Sequence, residues 1–327
     1  MAGPFQTKLF GLAAKVESTY GSDASPTFTT NAIRLESPPD GPGEDYLFPN
    51  EREDAATGTI GRLAAAAPGG RFHSWTYEVV GLGAGSAYSS SNLPNIDPLL
   101  QTLFSQTVDT TSGSEKVTYS LLDAPATGVT LYTELANKKY VTRGAIPESL
   151  VIRSDAGGFP VWEFQMVGIA DVPSEQALEA ATYSTVNPPI MENSSTTFNP
   201  GTDGGSSYTP VIRSWELDLG IEVADRADGN AANPHLGYRV VGRDPRFTAT
   251  VEVDALTNFD PTDLWTNITQ VAIDSTIGTT QYGRFDLDFD DARVQSYDHV
   301  DDDGLQVYEV EFALFQNSGA ELDIIFD

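Results

Sequence analysis

Residues 161–167 read VWEFQMV and residues 307–313 read VYEVEFA, so apolar and polar side chains alternate in both segments. A period of two places every second side chain on the same side of an extended strand, and that side can be buried. The same period occurs in six further segments, at 72–80, 117–121, 129–135, 215–223, 247–255 and 285–289. The sequence therefore predicts a mainly β protein.

Two segments depart from this period and predict short helices. DPLLQTLFS at 97–105 and DPTDLWTNIT at 260–269 each begin with Asp-Pro and then space apolar residues at helical intervals. Aspartate is a favoured N-cap, and proline is a favoured first helical residue. We therefore expect Asp97 and Asp260 each to cap a helix. A third segment, PSEQALEAATY at 173–183, has a weakly helical pattern.

The order of strand, Asp-Pro helix and late strand occurs twice, which indicates an internal repeat. Arg71-Phe72 begins the first copy and Arg246-Phe247 the second, and a short strand at 32–34 or 211–213 precedes each. The offset between the copies is 179 residues at the preceding strands and 175 at the Arg-Phe pairs. It then falls to 163 at the Asp-Pro pairs and to 146 at the late strands. Longer loops in the first copy explain this drift, and chance similarity among β segments is the alternative.

We predict two tandem domains, at 1–175 and 196–327, joined by a linker at 176–195 that is Pro- and Asn-rich over 186–195. The first domain carries a long polar, Gly- and Pro-rich loop at 37–62.

The composition is strongly acidic, with 47 Asp and Glu against 18 Lys and Arg and a formal net charge of −29. Such a surface repels phosphates, so specific nucleic-acid binding is disfavoured, although a channel through which DNA slides would benefit. Adaptation to high salt is a second interpretation and is compatible with the first, because molar salt screens self-repulsion. The absence of Cys excludes disulfides and zinc-thiolate sites.

Membrane and secretion signals are not evident in the sequence. The first 17 residues contain only a short apolar run at 9–14, and no stretch approaches the length of a membrane span. We therefore expect a soluble protein without a secretion signal.

The residues that usually carry chemistry do not form a recognisable constellation. His73, His235 and His299 lie far apart, and none has the spacing of a metal site. The run 301–304, DDDG, is similar to a calcium loop, but two ligands that an EF-hand needs are missing there. A hairpin turn is the better interpretation, with Asp301 and Asp303 as weak cation candidates.

The carboxylates of Asp286, Asp288 and Asp290 alternate along a predicted strand, so they share a face opposite the apolar residues between them. We expect this acidic face to line a channel or to meet solvent. Paired catalytic carboxylates are the alternative, but no partner residues accompany them. The sequence thus predicts no catalytic, cofactor-binding or metal site, and a protein that is not an enzyme.

Four blocks carry a family resemblance. AKVESTYGSDASPT at 14–27 is followed by NAIR at 31–34, then TTF at 196–198 leads to VIRSWELDLG at 211–220, and GRDPRFTATVE at 242–252 precedes the ending NSGAELDII at 317–325. In this order the blocks resemble tail tube proteins, the major tail proteins of long-tailed phages and of related archaeal, including haloarchaeal, tailed viruses.

The resemblance implies a structural virion protein whose domains are two packed antiparallel sheets, a β-sandwich or barrel, with one flanking α-helix. Such domains assemble into stacked rings that form a hollow tube for DNA ejection. Family members usually have one domain and six-fold rings, whereas this chain has two predicted copies. A homotrimer with pseudo-sixfold symmetry is therefore expected, with a hexamer as the alternative.

The resemblance also implies the partners and the location. Copies of the chain itself, a tape-measure protein, and tail terminator and tail tip proteins are expected partners, while DNA passes without specific binding. The tube would be assembled in the host cytoplasm and end in the virion tail, without cofactor or membrane. The loop at 37–62, with Asp45, Tyr46, Leu47, Phe48 and Arg52, is expected to reach into the neighbouring ring; a disordered surface loop is the alternative.

Other classes of protein remain in competition with a tube. A capsid decoration or baseplate protein differs from a tube only in the family blocks. A halophilic surface adhesion protein would need a secretion signal, and a carbohydrate-active β enzyme would need a convergent acid/base pair.

Overall fold

The computed structural model describes residues 10–46, 71–200, 207–230, 235–316 and 320–327. Strands dominate them, which confirms the predicted mainly-β class. We call β1 to β10 the first half and β11 to β19 the second half. The elements of the first half are β1 Phe10–Val16, β2 Ala32–Ile33, β3 Asp40–Tyr46, β4 Arg71–Val80, α1 Asp97–Leu100, β5 Phe104–Asp109, β6 Lys116–Leu121, β7 Val129–Leu135, β8 Lys138–Asp155, β9 Val161–Ala170 and β10 Ser174–Glu175. Those of the second half are β11 Ser195–Pro200, β12 Ile212–Asp218, β13 Glu222–Ala227, β14 His235–Gly242, β15 Arg246–Glu252, α2 Pro261–Thr266, β16 Val271–Ile277, β17 Phe285–Asp302, β18 Leu305–Leu314 and β19 Asp323–Phe326.

The strands of both halves pair in the same antiparallel order. In the first half the order is β3-β4-β9-β8-β7-β1. In the second half it is β12-β15-β18-β17-β16-β11. The two 18-residue strands, β8 and β17, occupy the same place in the two orders and change partners along their length.

The two halves are joined by strand pairing. β12 pairs with the end of β8, placing Leu217 opposite Ile152, and β19 pairs with both β17 and β6. One series of strands therefore runs through both halves in the order β3-β4-β9-β8-β12-β15-β18-β17. We call these eight strands the long sheet, and count β17 in it only from residue 292 to 302, where it pairs with β18; residues 285–291 of β17 pair with β16 and β19 instead.

The buried side of the long sheet packs on strands from the rest of the fold and makes it sandwich-like. Trp162 lies 5.3 Å from Phe285 between ring centroids, and Phe247 lies 5.1 Å from Phe289. All four side chains are fully buried, and each contributes about 1.5–3 kcal/mol through loss of apolar surface from water. The alternation read from 161–167 and 307–313 thus marks the core side of β9 and β18.

One sequence match used for the repeat is wrong in register. Phe72 is half-buried on the outer side of β4, whereas Phe247 is fully buried on the core side of β15. Val79 pairs with Trp162 in the first half, and Val251 pairs with Tyr308 in the second. When the late strands are matched, Val79 therefore corresponds to Val251, and the two Arg-Phe pairs are out of register by three residues. Side chains one or three positions apart on a strand point to opposite faces.

The two predicted helices exist but are shorter than expected, and one cap is wrong. Asp260 caps α2 through its carboxylate, which accepts from the backbone N–H groups of Thr262 at 3.0 Å and Asp263 at 3.1 Å. The residue before α1 is Ile96, and it makes no side-chain cap. Asp97 instead accepts a hydrogen bond from Tyr119 at 2.7 Å, because its carboxylate is buried beside β6.

The helix expected at 173–183 does not form. Residues 174–175 are a short strand paired with β8, and the segment that follows is not helical and packs on the outer side of β1 and β7, where Ala181 contacts the cluster of Ala13, Phe28 and Tyr132. Its backbone bonds to neighbours rather than to itself, with Thr182 donating to Phe28 at 3.0 Å and Glu179 donating to the Glu134 carboxylate at 2.9 Å. Tertiary packing has overridden a weak helical propensity.

Part of the loop expected at 37–62 is a strand, since residues 40–46 form β3 at the end of the long sheet. Pro42 cannot donate to a ladder, and an irregular edge strand tolerates it. Residues 47–62 lie outside the described residues.

Candidate functional surfaces

The outer side of the long sheet is a polar surface that spans both halves, which we call the polar face. It alternates with the buried row Trp162, Ile152, Leu217, Phe247 and Phe312. Its acidic members are Glu78, Glu163, Glu216, Asp218, Glu252, Asp298, Glu309 and Glu311. The polar face has more carboxylates than arginines, so it carries net negative charge.

Arginines cross-link neighbouring strands on the polar face. Arg153 on β8 bonds Glu163 on β9 at 2.8 Å and Glu78 on β4 at 3.0 Å. In the second half, Arg246 on β15 bonds Glu311 on β18 at 2.6 Å. These groups are partly exposed, so each pair contributes only about 0–1 kcal/mol. The main effect of these ion pairs is to hold the arginine and glutamate side chains together across neighbouring strands.

Both ends of the long sheet are open in the part of the chain that the structure describes. β3 pairs there with β4 alone. At the other end, residues 293–302 of β17 pair with β18 alone. Each end therefore presents unpaired backbone N–H and C=O groups, which soluble proteins normally cover or pair. Because all pairings in this even-numbered series are antiparallel, the two end strands run in opposite directions.

The predicted acidic strand face lies on a different surface. Phe285, Leu287 and Phe289 are fully buried, and Asp286 and Asp288 point to the other side of β17, as the alternation predicted. The cross-strand neighbours of Asp288 are Asp274 on β16 and Asp323 on β19. We call Asp274, Asp286, Asp288, Asp290 and Asp323 the aspartate face.

Burial is the main cause of the raised carboxyl pKa values on the aspartate face. It raises the pKa of Asp288 to about 6, with further contributions from Asp274, Asp290 and Asp323. Burial also raises the pKa of Asp286. Like charges on adjacent strands favour the neutral carboxyl group.

The run 301–304 forms a two-residue hairpin turn, as the sequence indicated. Asp302 pairs with Leu305 across the turn, and both central residues have positive φ, 52° at Asp303 and 85° at Gly304. That geometry suits Asp-Gly in a tight hairpin. Asp301 accepts from the Gly304 backbone at 2.7 Å. Within the described ranges, no group of three or more His, Asp or Glu side chains is arranged to hold a metal ion.

Surface cavities offer few titratable groups. A cavity of about 400 Å³ near the start of α1 includes Asp97 among its lining residues. Burial raises the pKa of this carboxyl group, and hydrogen bonds from Tyr119 and Gln101 oppose the rise. A second cavity, of about 540 Å³, is lined mainly by the loops at 185–193 and 278–283, and Glu192 is among its lining residues. The described lining of each cavity thus contributes one carboxylate.

Of the residues expected to reach into a neighbouring ring, Asp45 and Tyr46 lie at the end of β3. Leu47, Phe48 and Arg52 lie outside the described residues. Among the described helices, none is long and apolar enough to cross a membrane.

The β13–β14 hairpin is a feature that sequence reasoning missed. It forms a two-stranded sheet of its own between β12 and β15. Tyr20 anchors it, because the Tyr20 hydroxyl donates to the Tyr238 carbonyl and accepts from the Tyr238 N–H, each at 2.9 Å. The alternation of Leu236, Tyr238 and Val240 was the available signal.

No protein-family model matches the chain, and a search of curated proteins finds no significant match.

Proposed function

We propose that the chain is a tail tube subunit of a long-tailed virus, which assembles head to tail into rings and then into a hollow tube. The resemblance of the sequence blocks to tail tube proteins suggests this role. The arrangement of the long sheet supports it independently, from pairing and charge alone.

The observation that carries the proposal is the pair of open, oppositely directed sheet ends. When β17 of one copy meets β3 of the next, the two strands are antiparallel, so the ladder continues without a change of pattern. The contact uses different surfaces on the two partners, and such contacts give a ring when the rotation closes. Ring closure also removes the exposed edges.

A trimer is the ring that best fits the internal repeat. The matching strand orders support two tandem domains, each a pair of packed sheets with one flanking helix. Three chains then place six domains around the axis. With eight long-sheet strands from each chain, a trimer has a barrel of 24 strands. At about 4.8 Å per strand and a tilt near 40°, that barrel is on the order of 40–50 Å across.

The polar face would line this channel. Its excess of carboxylates repels the phosphate backbone, so DNA passes without binding. The arginines on it are held in pairs with carboxylates, which leaves little free positive charge for phosphates. The aspartate face lies on the other side of the fold and would meet solvent in such a ring.

The remaining parts of the proposal follow from the tube. The tube would be built in the host cytoplasm and carried in the virion tail, with a tape-measure protein in its channel and terminator and tip proteins at its ends. It needs no catalytic residue and no cofactor.

Electron microscopy of the purified protein, with averaging along any filaments, tests the proposal. We expect hollow tubes or rings with three chains each. A protein that stays monomeric at high concentration, in both moderate and molar salt, would overturn it and favour a decoration or surface protein.

A further inference from the structure

We infer that β17 of one copy pairs with β3 of the next copy in the register in which β8 pairs with β12 within one chain. Val300 then lies opposite Asp40 of the next copy. Two positions along the strand, Asp298 lies opposite Gly43. This inference rests on the proposed tube, and it states which residues meet where one copy joins the next.

β8 and β17 have the same length and the same place in the two strand orders. They span residues 138–155 and 285–302, so both ends of β17 lie 147 positions beyond those of β8. Each strand pairs with the late strand of its half on one side, β8 with β9 and β17 with β18. This offset of 147 can therefore be tested at the irregular positions inside the two strands.

Two register shifts recur at the same offset. Against the late strands, the register shifts over residues 147–149 of β8 and over residues 294–296 of β17. Against their other neighbours, β7 and β16, it shifts over residues 142–145 of β8 and 289–292 of β17. Such irregularities hold defined positions in a sheet and re-aim the strand that carries them. β8 and β17 are therefore structurally equivalent residue by residue.

Only β8 has a second neighbour at the far end of the strand. Its residues 151–155 pair with β12, on the side away from β9. The equivalent residues 298–302 of β17 pair with β18 and with no other strand in the described part of the chain. Ile152 is fully buried there, whereas its equivalent His299 is exposed on the same side of the sheet. β17 therefore lacks the neighbour that β8 has.

β3 is the strand of the first half that corresponds to β12. Each begins the strand series of its half, β3 beside β4 and β12 beside β15. When the late strands are matched, Thr76 on β4 corresponds to Thr248 on β15. The partners of these two threonines are Asp40 and Glu216, which therefore correspond to each other.

The same matching extends along β3. Gly43 on β3 corresponds to Asp218 on β12, because their partners on β4 and β15 correspond. β3 has one residue more than β12 between these matched positions, and the register shift between Asp40 and Gly43 accommodates it. The repeat thus selects β3 as the strand that completes the edge of β17.

The junction within the chain gives the register of the junction between copies. Glu216 on β12 pairs with Arg153 on β8. At the offset of 147, Arg153 corresponds to Val300, while Glu216 corresponds to Asp40. Val300 of one copy therefore falls opposite Asp40 of the next.

The second pair follows from the same junction. Asp218 on β12 pairs with Val151 on β8, so Asp298 falls opposite Gly43 between copies. Gly43 has no side chain, so no like charge lies directly opposite the Asp298 carboxylate, where it would be unfavourable. The four residues of the two pairs are all exposed in a single chain, which leaves them accessible to a neighbouring copy.

Disulfide trapping tests the register, because the chain has no native Cys. The matched double variants are Asp40→Cys with Val300→Cys and Gly43→Cys with Asp298→Cys. The swapped double variants, Asp40→Cys with Asp298→Cys and Gly43→Cys with Val300→Cys, are the controls. A Cβ on Gly43 would lie 3.5 Å from the Ser74 Cβ, an ordinary contact, so cysteine fits there.

Each double variant is assembled under reducing conditions, inspected by electron microscopy, oxidised, and run on a non-reducing gel. Cβ atoms directly opposite each other are about 4.5–5.5 Å apart, and diagonal ones are more distant. A disulfide needs Cβ atoms about 3.5–4.5 Å apart, so the matched pairs are favoured. Eight strands separate the two edges of one chain by roughly 30 Å, so a bridge can form only between copies.

We expect several-fold more covalent dimer and trimer from the matched variants than from the swapped ones. Cross-linking of the swapped variants that equals or exceeds that of the matched variants, within assembled tubes, would overturn the inferred register.

Hydrogen exchange of the wild-type chain is a second measurement, and it needs no substitution. Alternate backbone amides in residues 298–302 should exchange several-fold more slowly in tubes than in the unassembled chain, because a new ladder protects them. The equivalent residues 151–155 are the internal control, since β12 already covers them in both states. Unchanged exchange at 298–302 in tubes would show that this edge does not join the copies.

The outcomes separate the two proposals. If the wild-type chain forms no rings or tubes, the proposed function fails and this inference fails with it. If tubes form but residues 298–302 stay unprotected, or the swapped variants cross-link as well as the matched ones, only the inferred register is wrong.

Discussion

The outer faces of β1 and β7 in the first half and of β11, β16 and β17 in the second half differ, although the strands pair in the same order. In the first half, Ala13, Phe28 and Tyr132 form a small second core, which Ala181 helps to cover. In the second half, the corresponding strands carry the aspartate face. The two halves therefore share their strand order and their buried alternation. Their outer positions differ, and form a second core in the first half and a charged surface in the second.

The largest expected effect comes from removing the second core of the first half. Phe28→Ala should lower the free energy of unfolding by about 3–5 kcal/mol, because a 1% exposed aromatic ring leaves a cavity. Asn199→Ala, on the outer side of the corresponding strand β11, should change it by less than about 1 kcal/mol. Denaturant unfolding measures both. Equal effects would mean that the two outer faces do not differ in packing.

A smaller effect is expected at Glu17, which anchors the turn after β1 to β7 and β8. Its carboxylate accepts from the N–H groups of Gly21 and Gly144, each at 2.6 Å, and from the Thr130 hydroxyl at 2.8 Å. Glu17→Gln places an NH₂ group against one of these donors and should cost about 2–3 kcal/mol. Glu216→Gln, at an exposed position, is the control. A loss below about 0.5 kcal/mol at Glu17 would contradict the anchoring role.

The two Asp-Pro helices also differ between the halves, because only α2 has a side-chain cap at its N-terminus. Because Asp260 caps α2, Asp260→Ala should lower the free energy of unfolding by about 1 kcal/mol, and Asp260→Asn should restore most of it. Thermal or urea unfolding of the two variants is the measurement. If alanine and asparagine are equally destabilising, the cap contributes less than its geometry indicates.

The smallest expected effect depends on pH and belongs to the aspartate face. The pKa of Asp288 is raised to about 6 in the folded protein, so the folded state holds this proton more tightly than the unfolded chain. Its contribution to stability is therefore complete below the ordinary aspartate pKa and is lost as the pH rises through about 6.

Asp288→Asn should consequently stabilise the protein at pH 8, by up to about 1 kcal/mol after allowance for solvent exposure, and by much less at pH 4. Urea unfolding at both pH values provides the test, with Asp155→Asn, an exposed position at the end of β8 away from the aspartate face, as the control. A stabilisation that does not change with pH would show that the titration of Asp288 is not responsible.

Much of the fold could be predicted because burial leaves a period in the sequence. The core residues of β9 and β18 alternate with polar ones, and Asp-Pro marked the position of both helices. Where tertiary packing competes with local preference, the prediction was wrong: Asp97 bonds Tyr119 instead of capping α1, and residues 176–183 pack on β1 and β7 without forming a helix. β3 was hidden by Gly41 and Pro42, residues that usually mark loops.

The surfaces were harder to predict than the core. Alternation shows that Asp286, Asp288 and Asp290 share a face, but it does not show which neighbouring strands complete that face. Asp274 and Asp323 are distant in sequence from one another and meet Asp288 only through strand pairing. The polar face, likewise, depends on the junction of β8 with β12, which joins residues from both halves.

A helical reconstruction of the assembled protein by electron microscopy would show whether the long sheet continues from one copy to the next. We predict three chains in each ring, with β17 of one chain paired antiparallel to β3 of the next and the polar face turned to the channel. A ring in which these two edges remain apart, or in which the aspartate face lines the channel, would contradict this prediction.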